Sequence, residues 1–455
     1  MKIVKENRKL SKPTENKMGI MPVNKLLISM SLPLMLSMLI QALYNIVDSM
    51  FVSWYSDEAF TALSLAFPVQ NLLIAIAVGT GVGVNALLSR KLGEKDHDGA
   101  NKIATNGVFV AACSYVVFAI VGMLFLRPFF EMQTDSKVIA DYGVQYLSIC
   151  IIGSVAVFLQ IMFERLMQST GKTLYVMYSH CIGAIINIIL DPILIFPCKM
   201  GVYGAALATV IGQVCGMTFA MVLHHYKNRE VRLHFHGFKP SAPIILSIYK
   251  VGLPSIVMQS IGSVMVFAFN DVLLKFSNAA VSVFGVYFKL QSFILMPVIG
   301  MNNGMVPIIS YNYGAKKRER ITSVLRYAAI YAVLIMIIGV LIFQIFPNQI
   351  FNAFNPTDEM LDIGVSALRI ISIHFIFAGV SIVFSSTFQA FGHAWKSMVI
   401  SIARQLVILI PVAKLLATSG NVNLVWWSFP VAEVVTLIIC IVFYLHLYNK
   451  IIKRV

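Results

Sequence analysis

Polar residues interrupt this chain only at intervals, leaving twelve apolar runs near 25–52, 61–89, 103–126, 140–166, 173–197, 202–226, 244–274, 281–312, 323–346, 363–389, 395–417 and 424–448. Each is long enough to cross a bilayer core as a helix, which takes about 20 residues. None alternates like a barrel strand, and backbone groups in lipid must be satisfied within their own segment, so helices are the form that remains. Composition agrees, with 12% charged residues where an average globular chain has about a quarter. The sequence predicts an all-α polytopic membrane protein with twelve transmembrane helices.

A formal charge of +15 raises nucleic acid as a partner. Sorting the Lys and Arg by expected side removes it. Of 35, 27 fall in the tails and the loops on the amino-terminal side, five lie on the other side, and Lys289, Arg369 and Arg404 lie inside runs. The positive-inside rule then places both termini in the cytoplasm and makes the number of spans even. The basicity expresses topology, and no nucleic-acid partner is expected. The amino-terminal tail has no small-residue cleavage site, so no removable signal peptide is expected either. Five of the six cysteines lie in runs, where a thiol packs as a small apolar group, and Cys198 has no evident partner.

The second half of the chain repeats the first. At the shift that lays Pro254 on Pro33, Leu253 falls on Leu32, Phe288 and Gln291 on Phe67 and Gln70, and Gly300 and Gly304 on Gly79 and Gly83. The same shift carries Ser89, Gly93 and Lys95 onto Ser310, Gly314 and Lys316, and Gln168 and Gly171 onto Gln389 and Gly392. With six runs each, both halves start on the same side, so two six-helix bundles related by a pseudo-twofold axis along the membrane normal are expected. The expected boundaries are a cytoplasmic tail over 1–24, an amino-terminal lobe over 25–226, a linker over 227–243, a carboxyl-terminal lobe over 244–449 and a tail over 450–455. Such a pair is the plan of a rocking transporter with its cavity between the lobes.

Carboxylates inside apolar runs cost about 2.5 to 3.5 kcal/mol each on the insertion scale, so they need a compensating role. Asp48 lies near the outer end of span 1, Asp191 six residues before the outer end of span 5, and Thr209 about two turns into span 6. All three are expected at similar depth. Asn187 precedes Asp191 by one turn and shares its face, and Pro192 suits a bent helix lining a cavity. Two close carboxyls do not both stay ionised, which makes a proton site. Carboxylate, amide and hydroxyl oxygens also make a cage for a hard cation such as Na⁺. The plainer alternatives are a headgroup-seeking Asp48 and a structural hydrogen-bonded cluster around Asp191.

Other signals are weaker. "VGTGVGVN" over 78–85 lies mid-span without the strand or the Gly-Lys-Ser/Thr ending of a phosphate loop, and reads as close helix packing. His224, His225, His234 and His236 come without acidic or thiolate ligands and read as a solvated loop. Lys289, Arg369 and Arg404 have only Asp271 and Glu433 as interior opposite charges, and pairing is expected. No Ser or Cys forms a hydrolase motif with His, and no H-E-x-x-H occurs, so an enzyme is not expected. A channel fits an off-axis acidic site less well than alternating access does.

The gapless repeat, "QALYNIVD", "LLSRKLGEKD", "QSTGK", "NIILDPILIF", "GAALATVIGQ" and "MVPIISYNYGAKK" together resemble the multidrug and toxic compound extrusion (MATE) family in its bacterial branch, over nearly the whole chain. The resemblance implies a secondary antiporter in the bacterial cytoplasmic membrane that exports organic, mostly cationic and amphipathic drugs or toxins against inward H⁺ or Na⁺. It implies a cation-coupling site at Asp48, Asn187, Asp191 and Thr209, and a substrate cavity reached by Gln41, Tyr44, Asn45 and Glu164. Glu164 is read as a relay or drug contact, with a snorkelling pair to Arg165 as the alternative. The acidic residues that another branch carries midway along spans 7 and 10 are missing here, so a second coupling site is not expected. No cofactor is expected beyond the coupling ion, the partners are small molecules and membrane lipid, and a monomer is expected. The rival reading is a flippase for a lipid-linked saccharide or other amphiphile.

Overall fold

The computed structural model describes residues 15–352, 354 and 356–455, and among these every regular element is helical. A short α1 (Lys17–Ile20) leads into α2 (Val23–Tyr55), α3 (Asp57–Gly93), α4 (His97–Glu131), α5 (Lys137–Gly153), α6 (Val155–Ser169), α7 (Thr173–Ile195) and α8 (Gly201–Lys227). The second half has α9 (Ala242–Leu273), α10 (Asn278–Gly314), α11 (Arg318–Ile345), α12 (Pro347–Asn352), α13 (Asp358–Ser372), α14 (Phe375–Ala390), α15 (Ala394–Ile402), α16 (Ile410–Ala417), α17 (Val422–Val425) and α18 (Ser428–Lys450). A π-helical stretch, Ala403–Leu409, joins α15 to α16. Among the described residues ten helices are long and apolar enough to cross a membrane, and the count reaches twelve when the bent pairs α5–α6 and α13–α14 each make one span.

Each expected run falls on one of these spans, with two differences inside them. Spans 4 and 10 are broken, by 43° between Gly153 and Val155 and by 48° between Ser372 and Phe375. At the first break a Cβ on Gly153 would lie 2.5 Å from the Val210 side chain, and Ser154 Oγ donates back to Ile151 O at 2.7 Å. Hydropathy alone cannot register such a break, because both limbs are apolar. Pro192 sits within a continuous α7, in its last turn, where few turn-to-turn bonds remain to be lost.

The repeat extends to local geometry. Ser56 caps α3 by accepting from Ala59 N, and its counterpart in the repeat, Ser277, caps α10 by accepting from Ala280 N. Ser136 and Thr357 cap α5 and α13 in the same register. Lys95 and Lys316 both take a left-handed φ, of 59° and 56°, and Gly171 and Gly392 both turn at 79°. Short side chains accepting from free amide groups explain why the helices start where they do.

The halves meet through small residues exchanged between them. A Cβ on Gly79 would lie 2.4 Å from the Ile256 side chain of α9, and one on Gly300 would lie 2.6 Å from Met35 of α2. The partners Met35 and Ile256 are themselves counterparts in the repeat. At the face carrying the amino- and carboxyl-terminal segments, a Cβ on Gly93 would lie 2.0 Å from Tyr311 O, and one on Gly314 2.1 Å from Arg90 O. Backbone-to-backbone approach of this kind is what small residues permit in membrane helices, and it seals that face.

Candidate functional site

Asp48, Asn187, Asp191 and Thr209 are brought together from α2, α7 and α8. The carboxyl groups of Asp48 and Asp191 lie within hydrogen-bonding reach of each other. Asn187 Nδ2 donates to Asp191 Oδ1 at 3.3 Å and to Thr209 Oγ1 at 3.4 Å. Asp191 is fully buried and Asn187 nearly so, while Asp48 and Thr209 are half-buried. Spans α7 and α8 pack closely because Gly183 and Gly212 face each other, a Cβ on Gly212 lying 2.7 Å from Gly183 O. That contact sets Asn187, one turn beyond Gly183, against α8.

Three oxygens of this group, Asp48 Oδ1, Asn187 Oδ1 and Asp191 Oδ2, have no N–H or O–H donor among the described residues. A hydrogen bond between two carboxyls requires a proton on one of them, so the pair as placed can hold one. The same convergence of carboxylate, amide and hydroxyl oxygens can also hold a hard monovalent cation. Around the pair stand Tyr44 and Tyr146, both close enough to feel its charge, and Gln70, whose Nε2 donates to Tyr146 Oη at 3.1 Å. Tyr146 and Gln70 escaped the sequence reading. A Tyr or Gln in an apolar run carries no mark that it borders a site.

Gln41 and Tyr44 are half-buried and Asn45 is exposed, all on α2 within two turns of Asp48. Glu164 stands apart from them on α6 in a polar cluster of its own. Its Oε1 accepts from Gln160 Nε2 at 2.9 Å and from Ser179 Oγ at 3.2 Å, and its Oε2 lies 3.0 Å from His180 Nε2. The alternative pairing with Arg165 is therefore corrected. Arg165 points away and donates to Gln168 at 2.9 Å and to Asn303 of the other half at 3.2 Å. His180 was missed because it lies on the next span, where sequence spacing gives no sign that it faces Glu164.

In the carboxyl-terminal half, pairing holds for one cation. Arg404 Nη1 lies 3.6 Å from the buried Glu433, whereas Lys289, Arg369 and Asp271 are exposed and make no salt bridge among the described residues. The histidine loop also needs correction at two positions, since His225, though exposed, is helical like His224. His224 belongs to α8, is buried against Phe163 and bonds Asn228 at 3.1 Å. Among the described residues no cluster of His, Cys, Asp or Glu has metal-binding geometry, and all six cysteines are free.

The MatE family model matches the chain twice, over residues 33–193 and 254–415. The chain is 25% identical over 427 residues to the multidrug export protein MepA of Staphylococcus haemolyticus (strain JCSC1435), covering 94% of each. It is 25% identical over 413 residues to MepA of Staphylococcus aureus (strain MSSA476), covering 90% of this chain and 91% of that one. Its structure is similar to the outward-facing conformation of a multidrug resistance MATE family transporter of the MOP superfamily, with a TM-score of 0.92, 25% identity and coverage of 98% of this chain and all of the other.

Proposed function

The chain belongs to the MatE family, and from that premise we propose that it is a secondary antiporter exporting organic, mostly cationic and amphipathic small molecules in exchange for H⁺ or Na⁺. The observation that carries the reading is the contact of Asp48 with Asp191, beside Asn187 and Thr209, between spans of one half. Two carboxylates in a low-dielectric bundle repel when both are charged, and one bound cation relieves that repulsion. A ligand shifts a conformational equilibrium only by its differential affinity for the two states. The site has that property because Asp48 is carried by α2 and Asp191 by α7, so relative motion of the two spans changes its affinity.

In this reading the two halves are rocking lobes, 25–226 and 244–449, with the linker and both chain ends in the cytoplasm. The distribution of Lys and Arg supports that orientation. The membrane is the bacterial cytoplasmic membrane, as the staphylococcal relatives suggest. Gln41, Tyr44 and Asn45 line the path of the drug along α2, and Glu164 with His180 forms a second polar station toward the cytoplasmic side. Asp191→Asn tests the core of the proposal. The variant keeps a hydrogen-bonding side chain of the same size, so it folds and reaches the membrane, and ethidium efflux from energised vesicles falls to background. Efflux at the unsubstituted rate would remove the carboxyl pair from the mechanism.

A further inference from the structure

The segment Glu15–Met21 precedes the first span, yet most of its bonds are made to the opposite half of the chain. Asn312 Nδ2 of α10 donates to Met18 O at 3.0 Å. Arg320 Nη2 of α11 donates to Met18 O at 3.0 Å and to Met21 O at 2.7 Å, while its Nε is held by Asn312 Oδ1 at 3.0 Å. Lys317 Nζ reaches Glu15 Oε1 at 2.6 Å and Gly19 O at 2.9 Å. Met18 is fully buried. Gly19 is packed so closely that a Cβ would lie 3.0 Å from the Tyr311 ring.

The other end of the segment holds to the first half and to the linker that follows it. Asn16 Nδ2 donates to Thr170 O at 3.2 Å and to Glu230 Oε2 at 2.6 Å. Beyond Met21 the chain passes through Pro22 directly into α2, so the segment travels with the amino-terminal half. Its bonds to Asn312, Lys317 and Arg320 are consequently bonds between halves. The linker makes the mirrored arrangement, since Arg232 N, His234 N and Ser241 N donate to Asn101, Thr105 and Asn106 of α4. The lead-in to each half thus lies against the third span of the opposite half, α11 in one case and α4 in the other.

We infer that Glu15–Met21 is a latch across the cytoplasmic face, holding the inner side shut by bonding the amino-terminal half to α10 and α11. Opening the cytoplasmic side parts α2 from α10 and α11, and every bond from Asn312, Lys317 and Arg320 to the segment must then break. Asn16 keeps the segment seated on its own half, ready to re-engage. Each bond adds to the closed state and none is available to the open one, so the latch biases the equilibrium toward the form with its cytoplasmic side closed.

The inference rests on the alternating-access reading above, and the test separates the two. Full-length protein lacking its native cysteines carries Lys102→Cys and Arg326→Cys, exposed positions on α4 and α11, spin-labelled in proteoliposomes. Lys317→Ala and Arg320→Ala each raise the ratio of labels apart to labels together about tenfold or more, which is what losing a charged hydrogen bond produces. Distances unchanged in both folded variants overturn the latch. A single distance in every condition, in the unsubstituted protein too, overturns alternating access and the latch with it. Independently, Glu15→Cys with Lys317→Cys, joined by a short cleavable thiol cross-linker, stops ethidium transport, and cleavage restores it. Transport at the full rate while cross-linked also overturns the latch.

Discussion

Glu164 shows how much a single buried acid depends on what surrounds it. Three neighbours donate to it or pair with it, from its own helix and from α7, and the single hydroxyl proton of Ser179 is shared between Glu164 Oε1 at 3.2 Å and Gly216 O of α8 at 3.0 Å. The cluster therefore ties three spans together. Glu164→Ala leaves Gln160 Nε2 with only its long bond to Ser179 Oγ, at 3.4 Å, and His180 without its acceptor, at a cost of about 1–3 kcal/mol for each buried group left unsatisfied. Glu164→Gln keeps an acceptor toward Gln160 and Ser179. The alanine variant is expected to melt several degrees below the glutamine variant in detergent, while both lose drug efflux. Equal melting temperatures would mean that these bonds do not hold the spans. At this scale the sequence is legible for Asp48, Asn187 and Asp191, because a carboxylate and an amide in an apolar run stand out and their one-turn spacing fixes a shared face. His180, Gln70 and Tyr146 become visible only when spans distant in sequence are packed.

The two halves differ most where they correspond most closely. Gly183 and Gly212 bring α7 and α8 into backbone contact, and the counterparts of these two positions in the repeat are Arg404 and Glu433, joined at 3.6 Å. A charged pair needs room that two glycines do not. The carboxyl-terminal span accommodates it with the π-helical turns of Ala403–Leu409, and π-helical turns often mark such local demands. The cluster proposed as the coupling site occurs in the half with the glycines, where close approach sets Asn187 against Thr209. Gly212→Val should force α7 and α8 apart, since its side chain meets both Gly183 O and the Cβ of Asn187, the latter at 3.1 Å. The expected result is overpacking worth about 1–3 kcal/mol and loss of ion-coupled efflux, measured by thermal unfolding and vesicle assays. The equivalent change at Glu433 falls in the other half, where it removes the partner of Arg404, and should leave the coupling ion's affinity intact. Element positions were legible because span length and hydrophobicity are dictated by the bilayer. The breaks in spans 4 and 10 and the π-helical turns were not, because they answer to packing partners rather than to composition.

For the whole molecule, the proposed latch and the proposed coupling site are built from different segments and respond to different conditions. The internal repeat made the pseudosymmetric seal legible in outline, since Gly93 and Gly314 fall into register, but only the fold shows that each meets the backbone of the other half. The latch was not legible, because a short stretch of unremarkable tail composition gives no sign of what it will cross. The pH response separates its contribution from that of the carboxyl pair. Lys317 holds the Glu15 carboxyl below its ordinary value of 4.5. A depressed carboxyl contributes its stabilisation above the ordinary value and loses it as pH falls through the lowered one, so the Glu15–Lys317 contact is constant between about pH 6 and 8. Any dependence of transport on pH in that window must arise elsewhere, and the carboxyl pair is placed to supply it. Efflux from proteoliposomes under an imposed pH gradient alone, and then under a Na⁺ gradient alone, identifies the driving ion. Glu15→Gln is expected to move the midpoint of the pH profile without removing the response, because it shifts the equilibrium between states whose ion affinities differ, although the Glu15 contact itself does not titrate there. Asp48→Asn is expected to abolish the gradient response itself. An unmoved midpoint in a folded Glu15→Gln protein would mean that the cytoplasmic segment does not bias the equilibrium to which ion binding is linked, and the coupling of the latch to the carboxyl pair would fail.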